Sequence, residues 1–318
     1  MIIARLAPSP TGALHLGNIR TFLWAWLSAR AQGGRVIMRV EDLDSPRVKA
    51  DVTEKMLDDL AWLGFDWDEG PDGCVQTQRR AYYREIHERL RQLNAIYPCV
   101  CTRGDIAAAQ SAPHAGDTEL RYSGTCRGKF SDGAAAEAQS GRTPAWRLKV
   151  ETEILEYDDL LSGRQSIDVY SSVGDFVVAK APDNPAYQLA VVADDIAMGV
   201  TEVVRGDDLI PSTGRQLLLY RLLNAAPPRF GHVPLMVGPD GLRLAKRHGD
   251  ARIASLRASG VSAGHIIAML ARWSGLACSP GETATPRELL PLWSWDKVSR
   301  ERVILTPEKL AELENPPR

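Results

Sequence analysis

The sequence has few of the features that define several large protein classes. It contains 5 cysteines in 318 residues, too few for a disulfide framework, so we expect a reducing, cytoplasmic location. No apolar run approaches the roughly 20 residues that span a bilayer, and residues 1–5 open no stretch typical of a secretory signal. With 38 basic and 40 acidic residues the net charge is −2, which excludes a binder that relies on overall positive charge but allows a local basic groove for nucleic acid.

The beginning of the chain predicts a parallel α/β sheet. A short strand ends at residues 5–7, apolar residues recur at helical spacing from Ile19 to Leu27, and a compact apolar strand follows at residues 35–40. Strand, helix and strand within some forty residues make a βαβ unit. The fold class that we predict is therefore α/β, with a Rossmann-type nucleotide-binding domain.

Changes in composition divide the chain. Residues 1–97 and 186–238 are assigned to the Rossmann-type catalytic domain, residues 98–185 to an insertion, and residues 239–318 to a helical C-terminal segment. Within these parts we predict helices over residues 52–63, 82–93, 216–223, 262–273 and 308–314. We predict strands over residues 146–150, 189–193 and 201–204.

Residues 15–18 (HLGN) stand where the first loop meets the first helix. A helix amino terminus offers unpaired N–H groups and a partial positive charge, so it binds phosphate readily. Gly17 allows a flat ligand to approach the backbone, and His15 can donate to phosphate oxygens. The alternative is that His15 only caps the helix and that Gly17 only serves a tight turn.

Residues 242–249 (LRLAKRHG) form a basic loop far along the chain. Three cations in five residues are suited to neutralising a triphosphate, with Lys246 as a mobile point charge. For an isolated run, a solvated charge cluster is the better interpretation.

Together the two segments resemble the paired signatures of class I aminoacyl-tRNA synthetases, and their surroundings resemble the glutamyl-tRNA synthetases. The similar blocks are residues 5–12 (RLAPSPTG), 39–44 (RVEDLD), 186–195 (AYQLAVVADD) and 199–206 (GVTEVVRG). The resemblance implies that ATP, with Mg²⁺, is bound by His15, Gly17, Asn18, Arg243 and Lys246. Asn18 stands where the family often has a second histidine, while Arg243 and Ala245 replace its usual lysine and serine.

A pocket for glutamate needs cations for two carboxylates and an anion for the ammonium group. Arg5 and Arg205 are predicted at strand ends beside the opening of the sheet, and Glu41 and Tyr187 supply a carboxylate and a hydroxyl. Each has a structural alternative, such as an Arg5–Glu41 ion pair or a core position for Tyr187. The resemblance implies these glutamate contacts: Arg5, Leu6, Ala7, Pro8, Ser9, Glu41, Tyr187 and Arg205.

The insertion carries a candidate zinc site. Cys99, Cys101 and Cys126 supply three thiols, and on general chemistry the fourth ligand is His114, since imidazole is a commoner ligand than phenolate. Three incidental thiols remain the alternative. Glutamyl-Q tRNA(Asp) synthetases, short paralogues of the glutamyl enzymes, bind zinc through Cys-x-Cys and Tyr-x-x-x-Cys in this region. By that resemblance the ligands are Cys99, Cys101, Tyr122 and Cys126, holding one structural Zn²⁺.

The same resemblance bears on function through the length of the chain. A full glutamyl-tRNA synthetase continues into an anticodon-binding domain, which we do not expect here. The paralogues activate L-glutamate as glutamyl-adenylate and transfer it to queuosine at the wobble position of tRNA(Asp). We expect a monomer that contacts the anticodon stem-loop through its helical C-terminal segment, with Arg252, Arg257 and Arg272 as candidates.

Two other functions remain open at this stage. A truncated glutamyl-tRNA synthetase would charge a tRNA 3′ end, and a catalytically inactive synthetase-derived module would only bind RNA. The Cys-x-Cys and Tyr-x-x-x-Cys spacing speaks against the first. The complete set of predicted glutamate contacts speaks against the second.

Overall fold

The computed structural model describes residues 1–10, 12–43, 50–108, 121–242, 244, 251–276 and 282–314. The strands are β1 (Ile3–Leu6), β2 (Arg35–Met38), β3 (Ile96–Cys99), β4 (Ala145–Leu148), β5 (Ile154–Asp159), β6 (Gly163–Asp168), β7 (Val177–Ala181), β8 (Asn184–Pro185), β9 (Glu202–Gly206), β10 (Arg229–Val233), β11 (Met236–Val237) and β12 (Val303–Ile304).

The helices are α1 (Leu16–Ala31), α2 (Ala50–Trp62), α3 (Arg80–Gln92), α4 (Arg103–Ala108), α5 (Gly133–Ser140), α6 (Val169–Ser172), α7 (Tyr187–Ala197), α8 (Ile210–Leu222), α9 (Ile253–Ala258), α10 (Ala263–Trp273) and α11 (Pro307–Glu314). None of these helices has the length and apolar character needed to cross a membrane.

Parallel strands form the centre of the fold. β1 pairs in parallel with β2, and β10 pairs in parallel with both β9 and β5. The two groups meet where β1 lies beside β9, since the Thr201 amide donates to the Ile3 carbonyl at 2.9 Å. The predicted parallel α/β architecture is confirmed. The carboxyl ends of β1, β2, β9 and β10 point to the same edge, where such sheets bind ligands.

Helix α1 packs against β1, β2 and β9 and is buried along most of its length. Trp24 and Trp26 are both almost fully buried, and the Trp26 indole donates to the Asp66 carbonyl at 3.0 Å. A helix that is apolar on most sides belongs inside a core. This packing places the amino terminus of α1, with His15, at the edge of the sheet where the parallel strands have their carboxyl ends.

The region predicted as an insertion contains two different arrangements. Strands β3, β4, β7 and β8 form an antiparallel sheet. Its apolar core, which includes Leu148 and Val178, is continuous with the buried residues of α7 and α8. The hairpin of β5 and β6 lies instead at the edge of the central sheet, where Asp159 is the register partner of Phe230. This hairpin brings a carboxylate of the predicted insertion into the core of the parallel sheet.

The predicted strand over residues 189–193 is wrong, because these residues belong to helix α7. The run from Leu189 to Ala193 is buried on every side, since α7 packs against α8, α3 and β7. A short apolar run that is fully buried has the same pattern in a helix and in a strand. The other predicted helices and strands are confirmed, with shifts at their ends.

Candidate active site

A cavity of about 480 Å³ lies at the carboxyl edge of the parallel sheet. It is lined by residues from the ends of β1, β2 and β9, from the amino terminus of α1 and from the segment after β10. The predicted site residues that line it are Arg5, Ala7, Pro8, Ser9, His15, Gly17, Asn18, Glu41, Tyr187 and Arg205. Leu6 does not line it, since its side chain is fully buried in the core.

The loop after β1 is held against the segment after β2 by backbone hydrogen bonds. The Arg39 amide donates to the Leu6 carbonyl at 2.9 Å, and the Glu41 amide donates to the Pro8 carbonyl at 3.0 Å. These bonds continue the β1–β2 ladder beyond the two strands. As a result Arg5, the loop and Glu41 share one wall of the cavity.

Charged side chains form a buried network below this wall. Arg39 is fully buried and donates to Glu41 Oε1 at 2.9 Å and to Asp195 Oδ1 at 2.5 Å. Arg5 Nε lies 3.8 Å from the same Asp195 oxygen. Burial raises the pKa of Glu41, although Arg39 and Arg5 oppose the shift. Arg39 and Asp195 thus fix the two groups, Arg5 and Glu41, that face the cavity.

Arg205 differs from Arg39 in its partners, which are all neutral. Its Nη1 donates to Gln216 Oε1 at 2.7 Å, and its Nη2 donates to Thr213 Oγ1 at 2.8 Å. Its Nε donates to His232 Nε2 at 2.9 Å. Burial lowers the pKa of Arg205, and within the described residues no carboxylate forms an ion pair with it. A buried guanidinium whose charge is not compensated favours an anionic ligand.

Tyr187 begins helix α7 and closes the cavity beside Glu41 and Arg205. Burial, followed by the nearby charge of Glu41, raises the pKa of Tyr187. Its hydroxyl therefore stays protonated and can donate a hydrogen bond to a ligand oxygen.

The amino terminus of α1 is stabilised by its own side chains and also lines the cavity. The Asn18 Oδ1 accepts from the His15 amide at 3.1 Å, so Asn18 stabilises the first turn of the helix. A Cβ atom at Gly17 would lie 3.1 Å from the His15 imidazole and 3.6 Å from Met236 Cβ, which leaves little room for any side chain. His15 and Gly17 nevertheless line the cavity, so capping does not replace a role in binding.

Arg243 and Lys246 lie outside the described residues. Described residues near them lie at the cavity and at the first turn of α1. Leu244 lines the cavity. The Leu16 amide donates to the Ala251 carbonyl at 3.0 Å, and the Ile253 amide donates to the Leu14 carbonyl at 2.9 Å. The segment that begins at Ala251, directly after the undescribed residues, therefore pairs with the first turn of α1.

The predicted zinc ligands converge in the insertion. The sulfur atoms of Cys99, Cys101 and Cys126 lie within 4.8 Å of one another, and the three thiols are free. The Tyr122 hydroxyl lies 3.3 Å from Cys99 Sγ and 3.7 Å from Cys101 Sγ. Three sulfurs and one oxygen around a small buried space fit a tetrahedral zinc ion. His114, the alternative ligand, lies outside the described residues.

Two of the arginines predicted to contact RNA already have partners within the chain. Arg257 pairs with Asp58 at 2.6 Å and with Asp59 at 3.1 Å, and Arg272 pairs with Glu312. These ion pairs compensate part of the positive charge on which the prediction depended.

Sequence reasoning missed the residues that support the site. It quoted Arg39 and Asp195 only as parts of motifs, and it did not single out His232, Thr213 or Gln216. One signal was available. A charged side chain next to an apolar strand is seldom buried without a partner, and Arg39 directly follows the apolar run of residues 36–38. His232 has no such signal, since it follows Phe230 and Gly231.

Comparisons with known proteins show the family of this chain. A family model described as tRNA synthetases class I (E and Q), catalytic domain, matches residues 1–295. Over 320 aligned residues the chain is 45% identical to the glutamyl-Q tRNA(Asp) synthetase of Symbiobacterium thermophilum, and the match covers 98% of both. The chain belongs to the glutamyl-Q tRNA(Asp) synthetase family.

This family membership makes the protein a class I synthetase and a ligase. The chain is also 42% identical to the glutamate–tRNA ligase of Thermosynechococcus vestitus, covering 80% of this chain and 54% of that protein. The fold matches the crystal structure of a glutamate tRNA ligase from Elizabethkingia meningosepticum in complex with its amino acid. That match has a TM-score of 0.81 and 27% identity, and it covers 97% of this chain and 68% of that one. The predicted family is confirmed.

Proposed function

We propose that this protein activates L-glutamate with ATP and transfers the glutamate to queuosine at the wobble position of tRNA(Asp). The observation that carries the proposal is the shared cavity, where a predicted amino-acid pocket and the predicted phosphate-binding turn of α1 face the same space. The glutamyl-Q names of relatives that the chain matches over nearly their whole length support the acceptor.

In this proposal the amino-acid pocket recognises all three charged groups of glutamate. Arg5 and Arg205 bind the two carboxylates, because guanidinium and carboxylate are matched in charge and geometry. Glu41 binds the ammonium group, and Tyr187 donates its hydroxyl to a substrate oxygen. The loop of Ala7, Pro8 and Ser9, held by the Glu41–Pro8 backbone bond, closes over the substrate.

Activation requires the glutamate α-carboxylate to attack the α-phosphate of ATP, giving glutamyl-adenylate and pyrophosphate. The substrate oxygen is the nucleophile, so the protein acts by positioning the reactants and stabilising charge. His15 and the amino terminus of α1 face the phosphates, Asn18 holds that turn, and Gly17 leaves room for the nucleotide. Arg243 and Lys246 supply further positive charge, and Mg²⁺ accompanies ATP and neutralises phosphate charge.

The rest of the chain has supporting roles. We assign residues 1–97 and 186–238 to the catalytic domain, residues 98–185 to an insertion, and residues 239–318 to the segment that contacts the anticodon stem. In the insertion, Cys99, Cys101, Tyr122 and Cys126 hold one zinc ion, which stabilises the local fold.

The test has two stages. The first measures glutamate-dependent exchange of pyrophosphate into ATP without tRNA. The second supplies labelled glutamate and queuosine-containing tRNA(Asp), digests the tRNA and identifies the labelled nucleotide. We expect exchange without tRNA and label on queuosine. Absence of exchange would refute the activation step, and label on the terminal adenosine would point to a tRNA-charging enzyme instead.

A variant separates binding from chemistry. Lys246→Ala is expected to lower exchange by orders of magnitude while calorimetry still detects glutamate binding, because the lysine charge acts on phosphate and not on the amino acid. Lys55→Ala is the matched control, since Lys55 is exposed on α2 and pairs with Asp51 at 3.8 Å. Equal losses in both variants would argue against a role for Lys246.

A further inference from the structure

His232, the partner of Arg205 Nε, is itself in contact with a second buried side chain, that of Asp159. His232 lies on β10 next to Arg205 on β9, and on its other side Asp159 ends β5, so the three residues sit on three adjacent parallel strands. All three are at most 6% exposed, and His232 is fully buried. Asp159 Oδ2 lies 2.6 Å from His232 Nδ1, and Arg205 Nε lies 2.9 Å from His232 Nε2.

These contacts define the protonation state of the imidazole. A guanidinium can only donate, so His232 Nε2 must accept and carries no proton. Asp159 is ionised and can only accept, because the His232 contact and backbone amides hold the pKa of this carboxyl below its usual value despite its burial. Nδ1 therefore carries the proton, and the ring is neutral. The hydrogen bond at one ring nitrogen, here Nδ1 with Asp159, determines whether the other nitrogen, Nε2, can accept from Arg205.

We propose that Asp159 and His232 form a positioning dyad that orients Arg205 for binding a substrate carboxylate. The inference rests on the proposed function of Arg205 and extends it to two residues that do not line the cavity. Asp159 sets the tautomer of His232, and the lone pair on Nε2 fixes the rotation of the guanidinium. Because the imidazole is neutral, it holds Arg205 without cancelling the charge that attracts the ligand.

Asp159→Asn tests the dyad with almost no change in volume. The amides of Leu161 and Ser162 donate to Asp159 Oδ1 at 3.0 and 2.8 Å, while the His232 amide is shared between Oδ1, at 3.1 Å, and Oδ2, at 3.2 Å. These amides will hold the carbonyl oxygen of the new asparagine at the Oδ1 position and leave its NH₂ group facing His232 Nδ1. The ring must then accept at Nδ1 and carry its proton on Nε2. The Nε2–H of His232 and the Nε–H of Arg205 then face each other as two donors, and the hydrogen bond between them is lost.

Two readouts follow, one of which does not need the substrate. Long-range ¹H–¹⁵N spectra report the tautomer, and we expect Nδ1–H in the wild type and Nε2–H in Asp159→Asn, with a shift of the Arg205 Nε–H signal. In exchange assays we expect the KM for glutamate to rise by roughly 10- to 100-fold, the size of a lost charged hydrogen bond. The KM for ATP should change less than about twofold, because Arg205 is the one cavity-lining residue, among those that the structure describes, to which the dyad side chains are hydrogen-bonded.

Asp175→Asn is the matched control. Asp175 is equally buried and accepts from the Tyr97 hydroxyl at 2.6 Å and from the Val150 amide at 2.7 Å, but it does not contact Arg205. Its variant measures the general cost of an aspartate-to-asparagine change in a core. We expect its KM for glutamate to stay at the wild-type value.

His232 variants keep the idea testable if Asp159→Asn does not fold. A glutamine places an acceptor near the position of Nε2, whereas an asparagine places its polar group near Nδ1 only. His232→Gln should therefore retain a lower KM for glutamate than His232→Asn. Equal KM values in the two variants would overturn the proposal.

The outcomes separate this inference from the proposed function. If the wild type shows no glutamate-dependent exchange, the proposed function fails, while the tautomer and the Arg205 Nε–H signal still test the dyad. If the wild type is active and the tautomer changes in Asp159→Asn with an unaltered KM for glutamate, the dyad does not position Arg205. An Nε2–H tautomer in the wild type would also refute it.

Discussion

Glu41→Gln tests the proposed ammonium site with a change of one charge and almost no change in shape. Arg39 donates to Glu41 Oε1 through both Nε, at 3.3 Å, and Nη2, at 2.9 Å. These two bonds will hold the carbonyl oxygen of the new glutamine at the Oε1 position. The amide NH₂ then occupies the Oε2 position, and a donor replaces the acceptor that the substrate ammonium needs.

The size of the effect follows from this geometry. A hydrogen bond between charged groups contributes about 1.5–3 kcal/mol, which corresponds to roughly a 10- to 150-fold rise in the KM for glutamate. Stability should change little, because burial of the Glu41 carboxylate is itself unfavourable, as its raised pKa indicates, and Arg39 keeps its bond to Asp195. The loss is expected in glutamate binding and not in folding.

The assay is glutamate-dependent pyrophosphate exchange, with the KM for glutamate and for ATP measured separately, together with urea denaturation. Glu69→Gln is the control, since Glu69 is an exposed glutamate paired with Arg35 at 2.8 Å and is not among the residues of the cavity. A KM for glutamate within twofold of the wild type in Glu41→Gln would refute the assignment. A large loss of stability would show that the residue is structural.

Three further predictions concern the metal, a helix cap and pH. Tyr122→Phe should lower the zinc content from about one ion per chain, whereas His114→Ala should retain the metal. The zinc content is measured by mass spectrometry of the purified protein. The reverse result would identify His114 as the fourth ligand. Asp132→Ala should reduce the free energy of unfolding, because the Asp132 carboxylate accepts from the Ala135 amide at 2.9 Å and caps α5. An unchanged midpoint of urea denaturation would contradict this. Burial lowers the pKa of His232 from 6.5, although Asp159 opposes the shift. As the pH falls, the imidazole is therefore protonated in the unfolded chain before it is protonated in the folded protein, and the free energy of unfolding should decrease below about pH 6.5. In His232→Gln, this contribution to the pH dependence of stability should be absent.

The parts of the fold that were predictable share a simple cause. The first βαβ unit, the helices α2 and α3 and the strand β9 have periodic apolar residues bounded by glycine or polar residues, and they form as the pattern indicates. Helix α7 does not follow this rule, because burial on all sides removes the periodicity that distinguishes a helix from a strand.

The residues of the candidate site also fall into a predictable group and an unpredictable one. Residues that face the cavity, such as Arg5, Glu41 and Arg205, stand in recognisable motifs, so resemblance identified them. Residues that hold these groups in place were not predicted, because contacts such as Arg39–Asp195 and His232–Asp159 join positions that are distant in sequence. The sequence contains the partners, but only the arrangement of parallel strands brings them together.

The backbone bonds between Leu16 and Ala251 and between Leu14 and Ile253 have a consequence for how the protein is made. During translation the first turn of α1 leaves the ribosome about 235 residues before its partner. At the usual rate of about 5–20 residues per second, that interval is roughly 10–50 s. Throughout it, the nascent chain carries the proposed phosphate-binding turn without the segment that flanks the second signature. The proposed nucleotide site is therefore completed late in synthesis, and a chain stalled before residue 251 should not bind ATP.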